Sequence, residues 1–227
     1  MATPFLKMCS HYWDELMSFC QVANITARER ELAHLIASYG EPHRYYHNLG
    51  HVIYVLDGLL ESSMEAKILP REERANVRLA AWFHDIVYDT RRQDNEERSA
   101  ERAATSLRAL GLEENCVKRV GDLICMTKNH HAADGDLAAW WFIDADLSIL
   151  GGAPEDYQNY VAGVRKEYAW VPDHEFYPKR RAILQGFLDR PTIFMTAEHR
   201  RWEEPEARAN IAGEIALIDE ILKTLPS

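Results

Sequence analysis

The sequence predicts an all-α protein that forms a single helical bundle over residues 1–227. Apolar residues recur at helical spacing along almost the whole chain, while the alternation typical of strands and Asn-Gly hairpin turns are missing from the sequence. No segment repeats with a period of roughly 20 to 50 residues, which excludes a solenoid. Because no stretch is rich enough in Pro or Ser to form a linker, we expect one domain of roughly eight to ten helices.

Helix positions follow in chain order from apolar stripes and end signals. Residues 28–42 carry an apolar stripe, and Gly40 and Pro42 are expected to stop that helix. An apolar face begins near residue 51 and continues along residues 51–62. Residues 71–89 become more apolar towards their end. We therefore expect the end of the latter segment to be buried.

The clearest predicted boundary encloses residues 94–111. Asp94, followed three residues later by Glu97, is typical of a capping box, and Gly111 is expected to close the helix. The remaining helices are predicted over residues 113–128, 135–152, 156–168, 176–190 and 206–225.

Composition limits the function classes. Apolar residues make up 47% and charged residues 27% of the chain, and the net charge is -10. This balance argues against an extended nucleic-acid or membrane surface, although a small phosphate-bearing ligand held by a metal or a few arginines stays open. None of the four cysteines lies in a C-x-x-C pair, no signal peptide is recognisable, and no apolar run could span a membrane. We therefore expect a reduced, cytoplasmic location.

Two stretches place histidines where burial would be costly. His47 and His51 stand four residues apart, where a polar loop turns into an apolar helix. His84 and Asp85 follow an apolar run. Burying His84 and Asp85 is unfavourable unless they are paired or bind a metal, and alone this pair is explained by a His–Asp hydrogen bond near a helix end. His47 and His51 alone are explained by solvation or by a neighbouring partner.

A third stretch, residues 140–152, contains Asp144 and Asp146 inside a strongly apolar helix with no Lys or Arg nearby in sequence. Two such carboxylates indicate a cation supplied from elsewhere. Together with His51 and the His84-Asp85 pair, they lie on different predicted helices. Two imidazoles and two carboxylates suit a divalent transition metal, and helical bundles build such sites from inward-facing side chains.

The order H … HD … D resembles the HD superfamily of metal-dependent phosphohydrolases. YHNLGH (46–51) is similar to the YHNxxH motif of cyclic-nucleotide phosphodiesterases, and ADLS (145–148) is similar to the motif with their last metal-binding aspartate. Over nearly its full length the chain resembles a bacterial group of predicted HD-superfamily phosphohydrolases. The similar stretches are YHNLGH, WFHDIVYD, NEERSA, DADLSILG, VRKEY and ARANI.

The resemblance implies residue roles. The implied metal ligands are His51, His84, Asp85 and Asp146. Asp146 is preferred to Asp144 because it occupies the ADLS position, and Asp144 would then hydrogen-bond around the site. His47 would protonate the leaving oxygen, and Asp85 would orient the attacking water or bridge two metals.

One position departs from the HD pattern, and several other histidines and charged residues are further candidates for the site. Many HD enzymes have Lys or His where this chain has Tyr88. His130 and His131 are candidates for a second metal, with a solvated loop pair as the alternative. Glu96 is a candidate for contacts with substrate or with a metal ligand, and its alternative role is in the first turn of a helix. The candidates for binding substrate phosphate are Arg44, Lys128, Arg165 and Arg180, of which Arg165 and Arg180 are preferred.

These observations lead to one interpretation. We expect a single HD-type domain whose C-terminal helices, from about residue 154 to 225, pack on the metal-binding core. The expected activity is hydrolysis of a small phosphate ester, with nucleotides among the candidates, using one or two divalent ions (Mn, Fe, Zn, Co, Ni or Mg). The alternatives are a di-iron oxygenase of the same fold and a non-catalytic, metal-containing ligand-binding module. Oligomerisation stays open.

Overall fold

The computed structural model describes residues 3–61 and 69–225, and in this part of the chain every regular element is helical. The all-α prediction is therefore confirmed. The elements are α1 (Pro4–Phe19), α2 (Ile25–Tyr39), α3 (Leu49–Glu61), α4 (Arg71–Phe83), α5 (Asn95–Ala109), α6 (Glu114–Thr127), α7 (Leu137–Leu147), a 3-10 helix (Ser148–Gly151), α8 (Pro154–Glu167), α9 (Asp173–Leu188), α10 (Ala197–Trp202) and α11 (Glu204–Thr224).

Eleven α-helices in the described residues exceed the expected eight to ten because α1 and α10 lie outside the predicted set. The signal for α1 is present in the sequence, since its buried residues Cys9, Trp13 and Leu16 recur at helical spacing. The six-residue α10 is too short for an apolar stripe to show. Ser62, the last residue predicted for the third helix, lies outside the described residues.

The chain divides into two compact units, Met1–Ala145 and Asp146–Ser227. The division falls within the last turn of α7, so α7 is mainly an element of the first unit. That both units belong to one domain, with the C-terminal helices packed on the metal-binding core, stays a prediction. None of the helices in the described ranges has both the length and the apolar character that a membrane span needs.

The core of the first unit is built around the end of α4. Residues 79–83 are all fully buried, which confirms that the apolar end of this segment lies inside. Trp13 of α1 packs edge-on against Trp82 at 5.5 Å between ring centroids, and the Tyr39 hydroxyl of α2 donates to the Trp82 carbonyl at 3.1 Å. Large buried aromatic rings contribute strongly to the hydrophobic free energy of folding, so this contact fixes α4 between α1 and α2.

Helix α5 begins where predicted, but the predicted capping box is wrong. The Asp94 carboxylate accepts two hydrogen bonds from Arg92 at 2.7 Å, and Glu97 pairs with Lys128. Bonds to charged donors are stronger than bonds to neutral backbone N–H groups, so the nearby cations capture both carboxylates. Gly111, at φ +81°, follows the helix and closes it as predicted.

The second unit is held by a polar network among α8, α9 and α11. The Arg180 guanidinium donates to both oxygens of Glu214, at 2.8 and 3.0 Å, and to the Tyr160 hydroxyl at 3.0 Å. The Tyr157 hydroxyl donates to Glu214 at 2.5 Å. At Gly151 the chain passes so close to Glu203 that an added Cβ would lie 2.7 Å from the Glu203 Cβ. Only glycine fits that approach.

Candidate metal centre

Three helices bring three of the four predicted ligands close together. His51 lies in the first turn of α3, His84 directly follows α4, and Asp146 lies in the last turn of α7. One ligand atom from each of these residues falls within 4.8 Å of the others. The two imidazole Nε2 atoms are 3.0 Å apart, both histidines are buried, and Asp146 is half-buried.

The orientation of the His84 ring is set by the helix that it terminates. Its Nδ1 lies 3.0 Å from the Ala81 carbonyl oxygen, three residues earlier in α4. This contact is a hydrogen bond when Nδ1 carries the proton, and the lone pair of Nε2 then faces His51. A backbone carbonyl that holds one ring nitrogen is the usual way in which a protein orients a metal-binding histidine.

Asp85 adds a carboxylate beside the two imidazoles. Its Oδ2 lies 3.2 Å from His84 Nε2 and 3.9 Å from His51 Nε2. Burial acts to raise the pKa of Asp85, but the imidazole of His84, followed by those of His47 and His51, outweighs burial and lowers this pKa. Asp85 is therefore ionised at neutral pH.

The donor set fits a divalent cation. Nitrogen and oxygen ligands bound about 2.1 Å from one ion lie about 3.0 Å apart at right angles and about 3.4 Å apart in a tetrahedron. The separations of 3.0 Å between the histidines and 3.2 Å between His84 and Asp85 lie in this range, whereas the 3.9 Å between Asp85 and His51 lies above it. Lone pairs that face one another at such distances repel unless a proton or a cation lies between them. Imidazole with carboxylate is a suitable set for Mn, Fe, Co, Ni or Zn.

His47 lies beside this group. Its ring stacks on Tyr88, with centroids 4.2 Å apart and planes at 25°, and lies 5.8 Å from the His51 ring. Tyr46 covers both imidazoles, at 4.9 Å from His47 and 4.8 Å from His51. The aromatic rings thus hold His47 in the turn before α3, close to the Asp85 carboxylate.

Arg44 holds the segments around the site together. Its side chain is fully buried and donates to the carbonyls of Asp85 at 2.6 Å, Ile86 at 3.0 Å and His47 at 3.2 Å. Its guanidinium also faces the Tyr88 ring at 5.5 Å. The sequence-based assignment of Arg44 to substrate phosphate is therefore wrong, because main-chain carbonyls occupy its donors. Nothing in the sequence indicated this role.

The other candidates of the first unit have separate environments. Lys128 Nζ bonds Glu97 and the Gln93 carbonyl and lies 3.8 Å from Glu96. His130 is half-buried with φ +46°, and His131 is exposed. In residues 3–61 and 69–225, one group of three or more potential ligands converges, and its members are His51, His84 and Asp146. Neither His130 nor His131 belongs to this group. A second metal at these histidines, and substrate contacts by Lys128 and Glu96, stay predictions.

The two preferred arginines lie in the second unit. Arg165 donates to the carbonyls of Tyr168 at 2.8 Å and Val171 at 3.1 Å, and to Asp173 at 2.6 Å. Arg180 forms the network with Glu214 described above. Both guanidinium groups are thus bonded within their own unit, and their substrate-binding roles stay predictions.

Asp144 is fully buried two residues before Asp146 and does not belong to the group of converging ligand atoms. Asp85, the fourth predicted ligand, does not belong to that group either, and the choice of Asp146 over Asp144 stays a prediction. Comparison with protein-family models, with curated proteins and with solved structures finds no match to the chain. The resemblance to HD phosphohydrolases rests on the sequence motifs alone.

Proposed function

We propose that this protein is a metal-dependent phosphohydrolase that acts on a small phosphate ester. The observation that carries the proposal is the convergence of His51, His84 and Asp146 from three helices, with one ligand atom of each within 4.8 Å of the others. Asp85 supports it with a half-buried, ionised carboxylate next to both imidazoles. The motif resemblance supplies the reaction class.

In the proposed site, His51, His84, Asp85 and Asp146 hold the cation. When bound, a divalent cation would provide counter-charge for the phosphoryl oxygens and the Lewis acidity that lowers the pKa of a water molecule. Asp85, ionised in the folded protein, accepts a hydrogen bond from the attacking water and orients it towards phosphorus.

His47 is the proposed proton donor. As an imidazolium it donates an N–H proton to the departing ester oxygen, which prevents a costly alkoxide from forming. Stacking on Tyr88 fixes the plane of its ring, and the hydrogen bond from Arg44 to its carbonyl fixes its backbone. A proton donor held in this way needs little reorganisation when the bond breaks.

The metal site is tested by elemental analysis of the purified chain and two matched variants. Asp146→Asn should lower the metal content, with an affinity loss of at least about tenfold. Asp144→Asn removes a carboxylate two residues away and should leave the metal content unchanged. Equal metal content in Asp146→Asn and wild type would contradict the proposed ligand set.

The reaction is tested with a panel of nucleotides and other phosphate esters, with phosphate release measured in the presence of Mn²⁺ or Co²⁺. His47→Ala should keep the fold and the metal but lower turnover by about 10²- to 10⁴-fold. Turnover of no phosphate ester by metal-loaded wild type would contradict the hydrolase proposal. Bound iron with a visible absorption band would then favour the oxygenase alternative.

A further inference from the structure

Helix α11 turns an apolar face to solvent. Between Glu206 and Glu220 every exposed position of this helix is apolar. These positions, which we call the α11 apolar face, are Ala209, Ala212, Gly213, Ala216 and Leu217. Spacings of three, one, three and one residues place them on one side of the helix. Because the solvent side of a surface helix normally carries charged and polar residues, this side indicates a contact surface.

Large apolar side chains are exposed at this face and just before it. Leu217 is 67% exposed, and Trp202, the last residue of α10, is 66% exposed. A single exposed leucine is ordinary, whereas a contiguous apolar patch marks an interaction surface. Tryptophan is also among the residues that contribute most to protein–protein binding. Both side chains would therefore gain from a partner that covers α11.

Gly213 has no explanation within its own chain. It lies in the interior of α11, where glycine destabilises a helix relative to alanine. At Gly151 a close contact with Glu203 requires glycine, but a Cβ added at Gly213 would meet no atom of the described residues within 4 Å beyond its own helical turn. Glycine also occurs where another backbone approaches closely, so Gly213 favours a second chain packed on this face.

The charges at the two ends of α11 make this face complementary to itself. Glu206 lies in the first turn and Lys223 in the last turn, and both are exposed. If two copies packed with parallel helices, each of these charges would face its own counterpart and be repelled. If the helices are antiparallel, Glu206 of one copy lies opposite Lys223 of the other, and the opposed helix dipoles attract as well.

We propose that the α11 apolar face binds the same face of a second copy of this chain, with the two α11 helices antiparallel. In the register that pairs Glu206 with Lys223, Leu217 of one copy packs on Ala212 of the other, and Gly213 on Ala216. Such a two-fold contact buries the same patch on both chains. The contact is about 25 Å long, which is small for a permanent dimer, so the dimer is reversible, with a Kd of about 1–100 µM. It is independent of the proposed hydrolase activity.

The dimer is tested by sedimentation velocity of the full chain at concentrations from about 1 to 300 µM, over which wild type should pass from monomer to dimer. Gly213→Glu places two like charges at the centre of the contact and should raise Kd by at least about tenfold. Gly186→Glu is the matched control, because Gly186 is also an exposed helical glycine with an open Cβ position. Its side of α9 carries the exposed Lys179, seven residues earlier, and this variant should dimerise as wild type does.

A wild type that stays monomeric throughout this range would overturn the proposal. A dimer that Gly213→Glu leaves intact, or that Gly186→Glu weakens equally, would overturn it as well, because the contact would then lie on another surface.

Exchange of the end charges tests the antiparallel register even if Gly213→Glu folds poorly. Glu206→Lys and Lys223→Glu each create a like-charge contact, which the two-fold axis repeats, and each should raise Kd by about three- to tenfold. In an equal mixture of the two variants, every lysine at these positions again faces a carboxylate, and Kd should return to within about twofold of wild type. A mixture that dimerises no better than the single variants would overturn the antiparallel contact.

Discussion

The two units bury polar groups in opposite ways. In the first unit, the Nε2 atoms of His51 and His84 and a carboxylate oxygen of Asp85 face one another at 3.0 to 3.9 Å. In the second unit, the side chains of Arg180 and Glu214 are also largely buried, but donors face acceptors. The first arrangement needs a proton or a cation to be stable, whereas the second is complete with protein atoms alone.

This difference separates a candidate site from a structural network. The Glu214 carboxylate accepts from Arg180 and from Tyr157, and these contacts hold α8, α9 and α11 together. Burial, and then the charge of Glu214, raises the pKa of Tyr157, so its hydroxyl stays a donor. A buried network whose members are all satisfied stabilises and orders a core. A buried cluster of lone pairs stabilises the fold only when a proton or a cation lies among them.

The largest effect on stability is expected from a substitution that breaks the polar network of the second unit. Glu214→Gln removes the charge that balances Arg180 and should lower the free energy of unfolding by about 3–5 kcal/mol. Urea denaturation followed by circular dichroism measures this. Glu206→Gln, an exposed carboxylate on the same helix, should change stability by less than about 0.5 kcal/mol. Similar losses in the two variants would show that the network contributes little.

A pH titration probes His199, a buried imidazole of the second unit. Burial lowers its pKa from 6.5 to about 4. Between these two pH values the folded state therefore holds the imidazole neutral, while the unfolded chain binds a proton. Its stabilising contribution is complete above pH 6.5 and is lost as the pH falls towards 4, by about 3 kcal/mol in total. His199→Gln should flatten this part of the stability curve, measured by urea denaturation across the range. The exposed His174→Gln should keep the wild-type curve.

Addition of a divalent metal ion should stabilise the folded chain by binding at the candidate metal centre. At a free Mn²⁺ or Zn²⁺ concentration of about a hundred times Kd, the free energy of unfolding should rise by about 2.7 kcal/mol. The rise follows because the folded chain binds the ion and the unfolded chain does not. Unfolding curves at several metal concentrations, with and without a chelator, measure it. An equal rise in His84→Ala would show that the ion binds elsewhere.

The smallest expected effect concerns the support of the site. Arg44→Lys leaves one ammonium where a guanidinium served three carbonyls, and should cost about 2 kcal/mol of stability. Turnover should fall in the same variant because His47 and Asp85 lose a common anchor. Tyr88→Phe keeps the ring that stacks on His47 and should stay within about 0.5 kcal/mol of wild type. A Tyr88→Phe variant as impaired as Arg44→Lys would indicate a role for the hydroxyl.

Much of the helical framework and of the cluster could be predicted from the sequence. Nine of the eleven α-helices in the described residues correspond to predicted segments, because helical periodicity and end signals such as Gly111 are local. The candidate ligands could be chosen because histidines and aspartates inside apolar helices are costly without a partner. The capping box at Asp94 was wrong because local patterns do not show which cation a carboxylate meets.

The sequence by itself determined the helical class and the helix order, since these depend on spacing along one segment. Its resemblance to the HD motifs supplied the candidate ligands. Only the tertiary structure decided how the arginines are used. Arg44 lies 41 residues before the Asp85 carbonyl that it binds, and Arg180 lies 34 residues before Glu214. Which of many carboxylates and carbonyls an arginine meets depends on how distant helices pack. Spacing within a segment carries no information on that.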